Sequence, residues 1–211
     1  MEIKAVIFDL DGTLYDNSKL AAYLVSHSLL HLKYLYAERI CRHRMSGRYF
    51  GRHGETYDEL FSRMAEVSGK SVEKCRRWYW GRYMPLQVKA LKSKFHAKPW
   101  VSGTLAELRD KGLLLACFSE YSFVREKLSA LGINPDSFDF IIDAPSAGGC
   151  KPCRKAMLYV SGKLRVHPSS ILVVGDREDT DGAGAEAAGM HFLLVPRADS
   201  DKLDLSGFGL E

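Results

Sequence analysis

Ile3-Lys4-Ala5-Val6-Ile7-Phe8-Asp9-Leu10-Asp11-Gly12-Thr13-Leu14 decides how this chain is read. An apolar run ends in two aspartates one residue apart, and a glycine follows at once. Side chains at i and i+2 of an extended strand point the same way. Asp9 and Asp11 therefore face one small volume at the end of a buried strand. Two carboxylates aimed at one point repel each other unless a cation lies between them or one keeps its proton. Mg²⁺ takes oxygen ligands and is commonly bound beside phosphate, so the pair reads as a candidate Mg²⁺ site.

Four more apolar runs, at 113–118, 138–142, 171–174 and 191–195, are short and rich in branched residues. Such runs fit strands covered on both faces. Helical patterns alternate with them. Those at 105–111, 124–131 and 182–188 stop at Gly112, Gly132 and Gly189, and 154–163 repeats apolar residues at helical spacing. Glycine after the last periodic residue is a stop signal. The alternation predicts an α/β fold, a parallel sheet with helices on both faces. The first crossover is too long for a simple connection. From Leu14 to about Pro99 no strand pattern occurs, and 20–36, 57–68 and 72–91 read as helices. A helical domain inserted after the first strand accounts for this. It gives a core of residues 1–15 and 99–211 and an insertion of residues 16–98, with Pro99-Trp100-Val101-Ser102-Gly103 marking the return to the sheet.

The 211 residues are 46% hydrophobic and 27% charged, ordinary for a soluble globular protein. No apolar run reaches the ~18 residues of a membrane span, and the start of the chain reads as a core strand, not a signal peptide. The five cysteines, Cys41, Cys75, Cys117, Cys150 and Cys153, are odd in number without a secretory signal. That favours reduced thiols and a cytoplasmic location. Cys150 and Cys153 form a lone C-x-x-C, short of the ligands zinc needs, and read as incidental thiols. Charge divides at the same boundary as the helices. Between Asp16 and Trp100 there are 17 basic and 7 acidic residues, a formal +10 against +4 for the whole chain, so the remainder carries −6. A basic insertion over an acidic core fits an anionic substrate drawn to a metal-bearing site. It fits equally well a solvated, arginine-rich helical surface.

Three further pieces each follow a strand, at the carboxyl edge where open α/β sheets bind ligands. Ser119 ends the second apolar run. A hydroxyl and free N–H groups there can hold phosphate oxygens, although serine is also a common turn residue. Lys151-Pro152 precedes the helix at 154, where a lysine can neutralise a phosphoryl group as a point charge. Gly175-Asp176-Arg177-Glu178-Asp179-Thr180-Asp181-Gly182 joins a buried strand to a small-residue helix. Burying its carboxylates costs free energy unless a cation or hydrogen bonds compensate. Asp176 is the natural metal ligand, and Asp181 either joins the site or caps the next helix.

In order, D-x-D-G-T, serine, Lys-Pro and G-D-x-x-x-T-D make the chain resemble the haloacid dehalogenase-like hydrolase superfamily over essentially its full length. The resemblance implies a Rossmann-like three-layer α/β/α core with sheet order 5-4-1-2-3 and an inserted α-helical cap. It implies Asp9 as a nucleophile that forms an aspartyl-phosphate, with Asp11 as general acid and then base. It implies Mg²⁺ among the Asp9 carboxylate, the Asp11 backbone carbonyl, Asp176 and the phosphate, with Asp181 supporting the metal or Lys151. Lys151 would stabilise charge on nucleophile and phosphate. Ser119 and neighbouring amides would bind phosphoryl oxygens, with Gly12 and Thr13 at the turn beside them. Relatives that break carbon–halogen or carbon–phosphorus bonds lack the second acid, so Asp11 favours phosphate esters. Two positions depart from the pattern. Glu120 stands where many relatives carry Asn, and either points away or meets a substrate amine or cation. Cys153-Arg154 follows Lys151-Pro152 where an acid is more usual, and Arg154 either adds charge near the site or lies on a helix surface.

The expectation is an Mg²⁺-dependent phosphatase of a small phosphorylated metabolite, acting as a monomer or homodimer. Phosphoglycolate, nucleoside monophosphates and sugar phosphates are candidates by resemblance. A β-phosphoglucomutase-like phosphomutase is the alternative within the fold. A nucleic-acid-binding role for Arg39, Arg42, Arg44, Arg48 and Arg52 among His43, Tyr49, Phe50 and His53 lacks a recognised fold signature. One or two of these arginines are expected to reach the pocket. Tyr15, Asp16, Asn17 and Lys19 are expected at the cap hinge, where cap movement opens the site.

Overall fold

The computed structural model describes residues 2–52, 54–195 and 202–210. His53, read above with the cap arginines, lies outside them. The first strand, β1 (Ala5–Phe8), is completely buried. Its side chains alternate between two cores. Ala5 and Ile7 join Phe118, Met157, Val160 and Val173 on one face, while Val6 and Phe8 join Trp100, Leu105, Leu128 and Leu172 on the other. Burying a side chain the size of Ile or Phe stabilises by about 1.5–3 kcal/mol, so a strand apolar on both faces belongs at the centre of a sheet.

That is where β1 lies. The strands β2 (Leu114–Ser119), β3 (Phe140–Asp143), β4 (Ile171–Gly175) and β5 (His191–Leu194) complete one parallel sheet of order β3-β2-β1-β4-β5. This is the anticipated 5-4-1-2-3 order counted from the other edge. Phe8 is in register with Cys117 and Val174, so the chain leaves β1, β2 and β4 at one level. Asp9, Glu120 and Asp176 emerge together at that edge. Of the helices that follow, α6 (Trp100–Asp110) and α7 (Val124–Ala130) cover the face of Val6 and Phe8. Helices α8 (Arg154–Leu164) and α9 (Ala183–Ala188) cover the other face.

Among the described residues five α-helices lie between β1 and α6: α1 (Leu20–Ser26), α2 (Leu32–Met45), α3 (Glu55–Ser68), α4 (Val72–Trp78) and α5 (Met84–Lys94). Two long patterns read from the sequence are interrupted. The one at 20–36 breaks at His27 and Ser28 because the Ser26 hydroxyl and the His27 ring both take up the Tyr23 carbonyl. The one at 72–91 passes through a π turn, Tyr79–Tyr83, just before Pro85, which has no N–H to continue the ladder. Pro99-Trp100-Val101-Ser102-Gly103 begins the return to the sheet as α6: Pro99 occupies its N-cap position with φ −54°, and the helix starts at Trp100.

The chain leaves and re-enters the sheet region side by side. Tyr15 bridges to Asp11 and to Ala97, and the Lys98 N–H donates to the Leu14 carbonyl at 2.9 Å. A second seam joins residues 46–51 to residues 148–151. The Phe50 N–H donates to the Gly148 carbonyl at 2.8 Å, the Cys150 N–H to the Arg48 carbonyl at 3.2 Å, and the Ser46 hydroxyl to the Lys151 carbonyl at 3.0 Å. No helix among the described residues is long and apolar enough to cross a membrane.

Candidate active site

Asp9 follows β1 directly and is 6% exposed, its N–H tied to the Val174 carbonyl at 2.9 Å. Its two carboxylate oxygens have different partners. Lys151 Nζ donates to Oδ1 at 2.7 Å, and Thr13 Oγ1 donates to Oδ2 at 2.9 Å. The same ammonium donates to Asp181 Oδ1 at 2.8 Å. Asp181 thus turns into the site and does not cap α9, whose N-cap position is Gly182. Oxygens of Asp9, Asp176 and Asp181 lie within 4.8 Å of one another.

Glycine makes this convergence possible at two places. Gly12 has φ +110°, and a Cβ there would lie 2.7 Å from Asp176 Cγ. A Cβ on Gly175 would lie 2.5 Å from Asp181 Cγ. Any larger residue would push the carboxylates out of the cluster.

Burial pushes the Asp9 carboxyl up to about 7, with Lys151 opposing and Asp181 adding to the rise. Lys151 is held well above its ordinary value because, although burial lowers it, Asp181 and Asp9 outweigh that cost. Hard oxygen donors gathered in this way suit a divalent cation of the Mg²⁺ type. A bound cation would favour the ionised form of Asp9.

Asp11 has a separate environment. Its carboxylate accepts from Tyr15 Oη at 2.6 Å, from Ser119 Oγ at 2.9 Å, and from Lys127 Nζ at 3.0 Å to each oxygen. Burial alone would raise this carboxyl. Lys127 and the hydrogen bonds from Tyr15 and Ser119 win, and it is held below its ordinary value. The Asp11 backbone carbonyl accepts from Asn17 Nδ2 at 2.8 Å and keeps a second lone pair. Ser119 therefore donates to Asp11 here, while its oxygen accepts the Tyr121 N–H at 3.1 Å.

The loop after Ser119 meets the inserted helices. Glu120 Oε2 accepts the Lys151 N–H at 2.9 Å, and Oε1 accepts from Arg42 Nη1 at 3.2 Å. Glu120 thus neither points away nor stands open: its cation is Arg42 of α2. Arg42 Nε in turn donates to Glu38 Oε1 at 2.6 Å. Of the five cap arginines singled out in the sequence, Arg42 alone is buried; Arg39, Arg44, Arg48 and Arg52 are exposed. Arg154 lies on the surface, its Nε donating to the Ala187 carbonyl at 2.8 Å. Cys150 and Cys153 are buried free thiols.

The haloacid dehalogenase-like hydrolase family matches residues 3–189. The chain belongs to that family. It is 31% identical to a glyceraldehyde 3-phosphate phosphatase of Methanopyrus kandleri, over 92% of this chain and 84% of that one. It is 28% identical to a phosphoglycolate phosphatase of Nitrosospira multiformis, over 93% and 84%. Among solved structures, β-phosphoglucomutase from Clostridium difficile aligns with a TM-score of 0.68 over 98% of this chain and 96% of that one, at 20% identity. At that identity the likeness is one of fold.

In this haloacid dehalogenase-like hydrolase the sequence motifs overlooked two residues. Lys127 is completely buried and bonds Asp11 from α7. Its signal was present: Val124, Lys127, Leu128 and Leu131 share the core-facing stripe, and a lysine on such a stripe needs a buried partner. Tyr15 was read only as a hinge residue, yet its hydroxyl reaches Asp11. No local pattern announces that contact. Chemically, the arrangement sets an anionic oxygen, Asp9 Oδ1, beside an ammonium and a cation-binding cluster at one strand edge, with a second carboxylate close by.

Proposed function

We propose that this hydrolase is a phosphatase that releases inorganic phosphate from small phosphate monoesters, with Asp9 as nucleophile and Mg²⁺ as cofactor. The observation that carries the reading is the shared ammonium. Lys151 binds both Asp9 and Asp181 within 2.8 Å, beside a third carboxylate, at the edge of a parallel sheet. The phosphatase relatives support it.

Asp9, Asp176 and Asp181, with the Asp11 carbonyl, are the groups that would hold Mg²⁺, which supplies charge neutralisation for a phosphate when bound. The protein's own residues do the rest. Asp9 attacks phosphorus in line; a bond forms from its carboxylate oxygen to phosphorus and the bond to the leaving oxygen breaks. Thr13 and Lys151 fix the direction of that carboxylate. Asp11 gives a proton to the leaving oxygen and later takes one from the attacking water. In the resting arrangement Asp11 is an ionised acceptor, so before it can donate to the leaving oxygen it must give up a present partner and take up a proton from bulk water. Ser119, on giving up its bond to Asp11, and amides of the loop after it would hold phosphoryl oxygens. Residues 16–98 act as a cap over a core of residues 1–15 and 99–211. Five free, buried thiols suit a reducing cytoplasm.

Phosphate release from a panel of monoesters, with Asp9→Asn as control, tests the reading. We expect Mg²⁺-dependent release that the variant loses by at least about 10³-fold while its melting curve stays cooperative. Isomerisation of a sugar phosphate without release of phosphate would instead make the protein a mutase.

A further inference from the structure

On the phosphatase reading the phosphoryl end sits among groups of the sheet edge, and Glu120, which follows Ser119 and accepts the Lys151 N–H at 2.9 Å, flanks that seat on the side of the inserted helices. The charged side chains of the seam between the loop after Ser119 and those helices are Glu38, Arg42 and Glu120, with Asp143 reached through Tyr57. Arg42 has five N–H donors, and most are already committed. Nε bonds Glu38 at 2.6 Å, Nη1 bonds both the Glu120 carboxylate and the Glu120 carbonyl at 3.2 Å, and Nη2 bonds the Tyr79 hydroxyl at 3.3 Å. Its guanidinium also lies 4.6 Å from the centre of the Tyr121 ring. One donor at most remains, so Arg42 cannot clamp a substrate carboxylate with the usual pair of parallel bonds. Two carboxylates surround one guanidinium, and the seam keeps a negative charge. The hydroxyls nearby belong to Tyr57, Ser122 and Tyr79, and Tyr57 donates to Asp143 Oδ1 at 2.7 Å. Tyr57 and Ser122 are bonded to each other, and Tyr79 bonds Ser122 at 3.2 Å.

We propose that this seam selects leaving groups by charge: it admits phosphate monoesters whose body is neutral or cationic and rejects those carrying a carboxylate or second phosphate beside the ester. The proposal rests on the phosphatase reading and adds a substrate class to it. The basic surface of the insertion works at a different place. The exposed arginines raise the local concentration of phosphate esters, while the buried seam decides which ester is accepted. Discrimination of this kind comes from a repulsive element facing the wrong ligand.

Three esters of nearly equal size test it: phosphoglycolate, hydroxyethyl phosphate and O-phosphoethanolamine, which differ by a carboxylate, a hydroxyl and an ammonium. With the full chain and Mg²⁺, we expect kcat/KM for the hydroxyl and ammonium esters to exceed that for phosphoglycolate by about tenfold or more, since like charges facing each other are strongly disfavoured. Glu120→Gln removes the charge and keeps one of the two side-chain oxygen acceptors, while the residue-120 backbone carbonyl still accepts from Arg42. It should shift the ratio about tenfold toward phosphoglycolate. Glu38→Gln should shift it the same way and serves if the first variant fails to fold, which a melting curve shows. A native enzyme that prefers phosphoglycolate, or a ratio unmoved in folded variants, overturns the charge rule alone. Absence of phosphate release from all three esters and from p-nitrophenyl phosphate overturns the phosphatase reading and this inference with it.

Discussion

Lys127 is the residue whose removal tells most about the site. It is completely shielded, and both its short contacts end on Asp11. Removing one partner of a buried ion pair leaves the other uncompensated and costs about 3–5 kcal/mol. Lys127→Met should lose about that much in denaturant unfolding. Asp11→Asn combined with Lys127→Met should lose less than the sum of the two single changes, because the stranded charge is gone. Simple additivity would show that the pair is not energetically coupled. Glu120 gives a prediction of opposite sign. Burial raises its carboxyl above the ordinary value of 4.5, with Arg42 and the Lys151 N–H opposing. A carboxyl that holds its proton more tightly folded than unfolded supports stability fully below its unfolded value. That support is lost as pH rises through the folded value. Glu120→Gln should therefore gain in melting temperature relative to the native chain as pH rises above the ordinary carboxylate value. A gap that stays flat or narrows would show that Glu120 is not strained by burial. Asp9, Asp11, Asp176 and Lys151 could be found in the sequence because strand-end acids and a loop lysine stand out against apolar runs. The bond from Tyr15 to Asp11 could not, since no local pattern marks it, and nothing set Arg42 apart from the other four cap arginines as the partner of Glu120, 78 residues away.

At the scale of elements, the strands were the legible part and the inserted helices were less so. A buried parallel strand is a continuous apolar run, and β1, β2 and β4 read as such. Helix ends in the insertion depend on side chains competing for backbone carbonyls, as Ser26 and His27 do, and on a proline that perturbs the turn before it. Neither interrupts the apolar pattern itself. The contact between residues 46–51 and 148–151 was invisible, because backbone hydrogen bonds leave no mark on side-chain sequence. It makes a specific prediction. A Cβ on Gly149 would lie 2.6 Å from the Arg48 carbonyl oxygen. Gly149→Ala should force the two segments apart, speed amide exchange at Phe50 and Cys150 together, and lower kcat by moving Lys151. Faster exchange with unchanged kcat would show that the seam does not position the lysine. For the sheet, Phe8→Ala should cost about 3–5 kcal/mol, since Phe8 is completely buried, with its ring centre 6.4 Å from those of Trp100 and Phe138.

For the whole molecule, the sheet edge gathers acids, and the exposed arginines of the insertion face solvent. A divalent cation held by Asp9, Asp176 and Asp181 would couple the loops after β1 and β4 and would bind only the folded chain. Mg²⁺ at a hundred times its Kd should then stabilise by about 2.7 kcal/mol, read as a rise in melting temperature that chelation reverses. Asp176→Asn should abolish most of that rise. An equal rise in the variant would place the cation elsewhere. The central claim is that Asp9 carries the phosphoryl group during turnover. The most direct measurement is rapid acid quench during Mg²⁺-dependent hydrolysis, followed by mass analysis of the peptide containing Asp9. The account predicts a transient gain of one phosphoryl group on Asp9, absent in Asp9→Asn. Sustained turnover with no phosphoryl group on Asp9 at any quench time, or with it on another residue, would contradict the account.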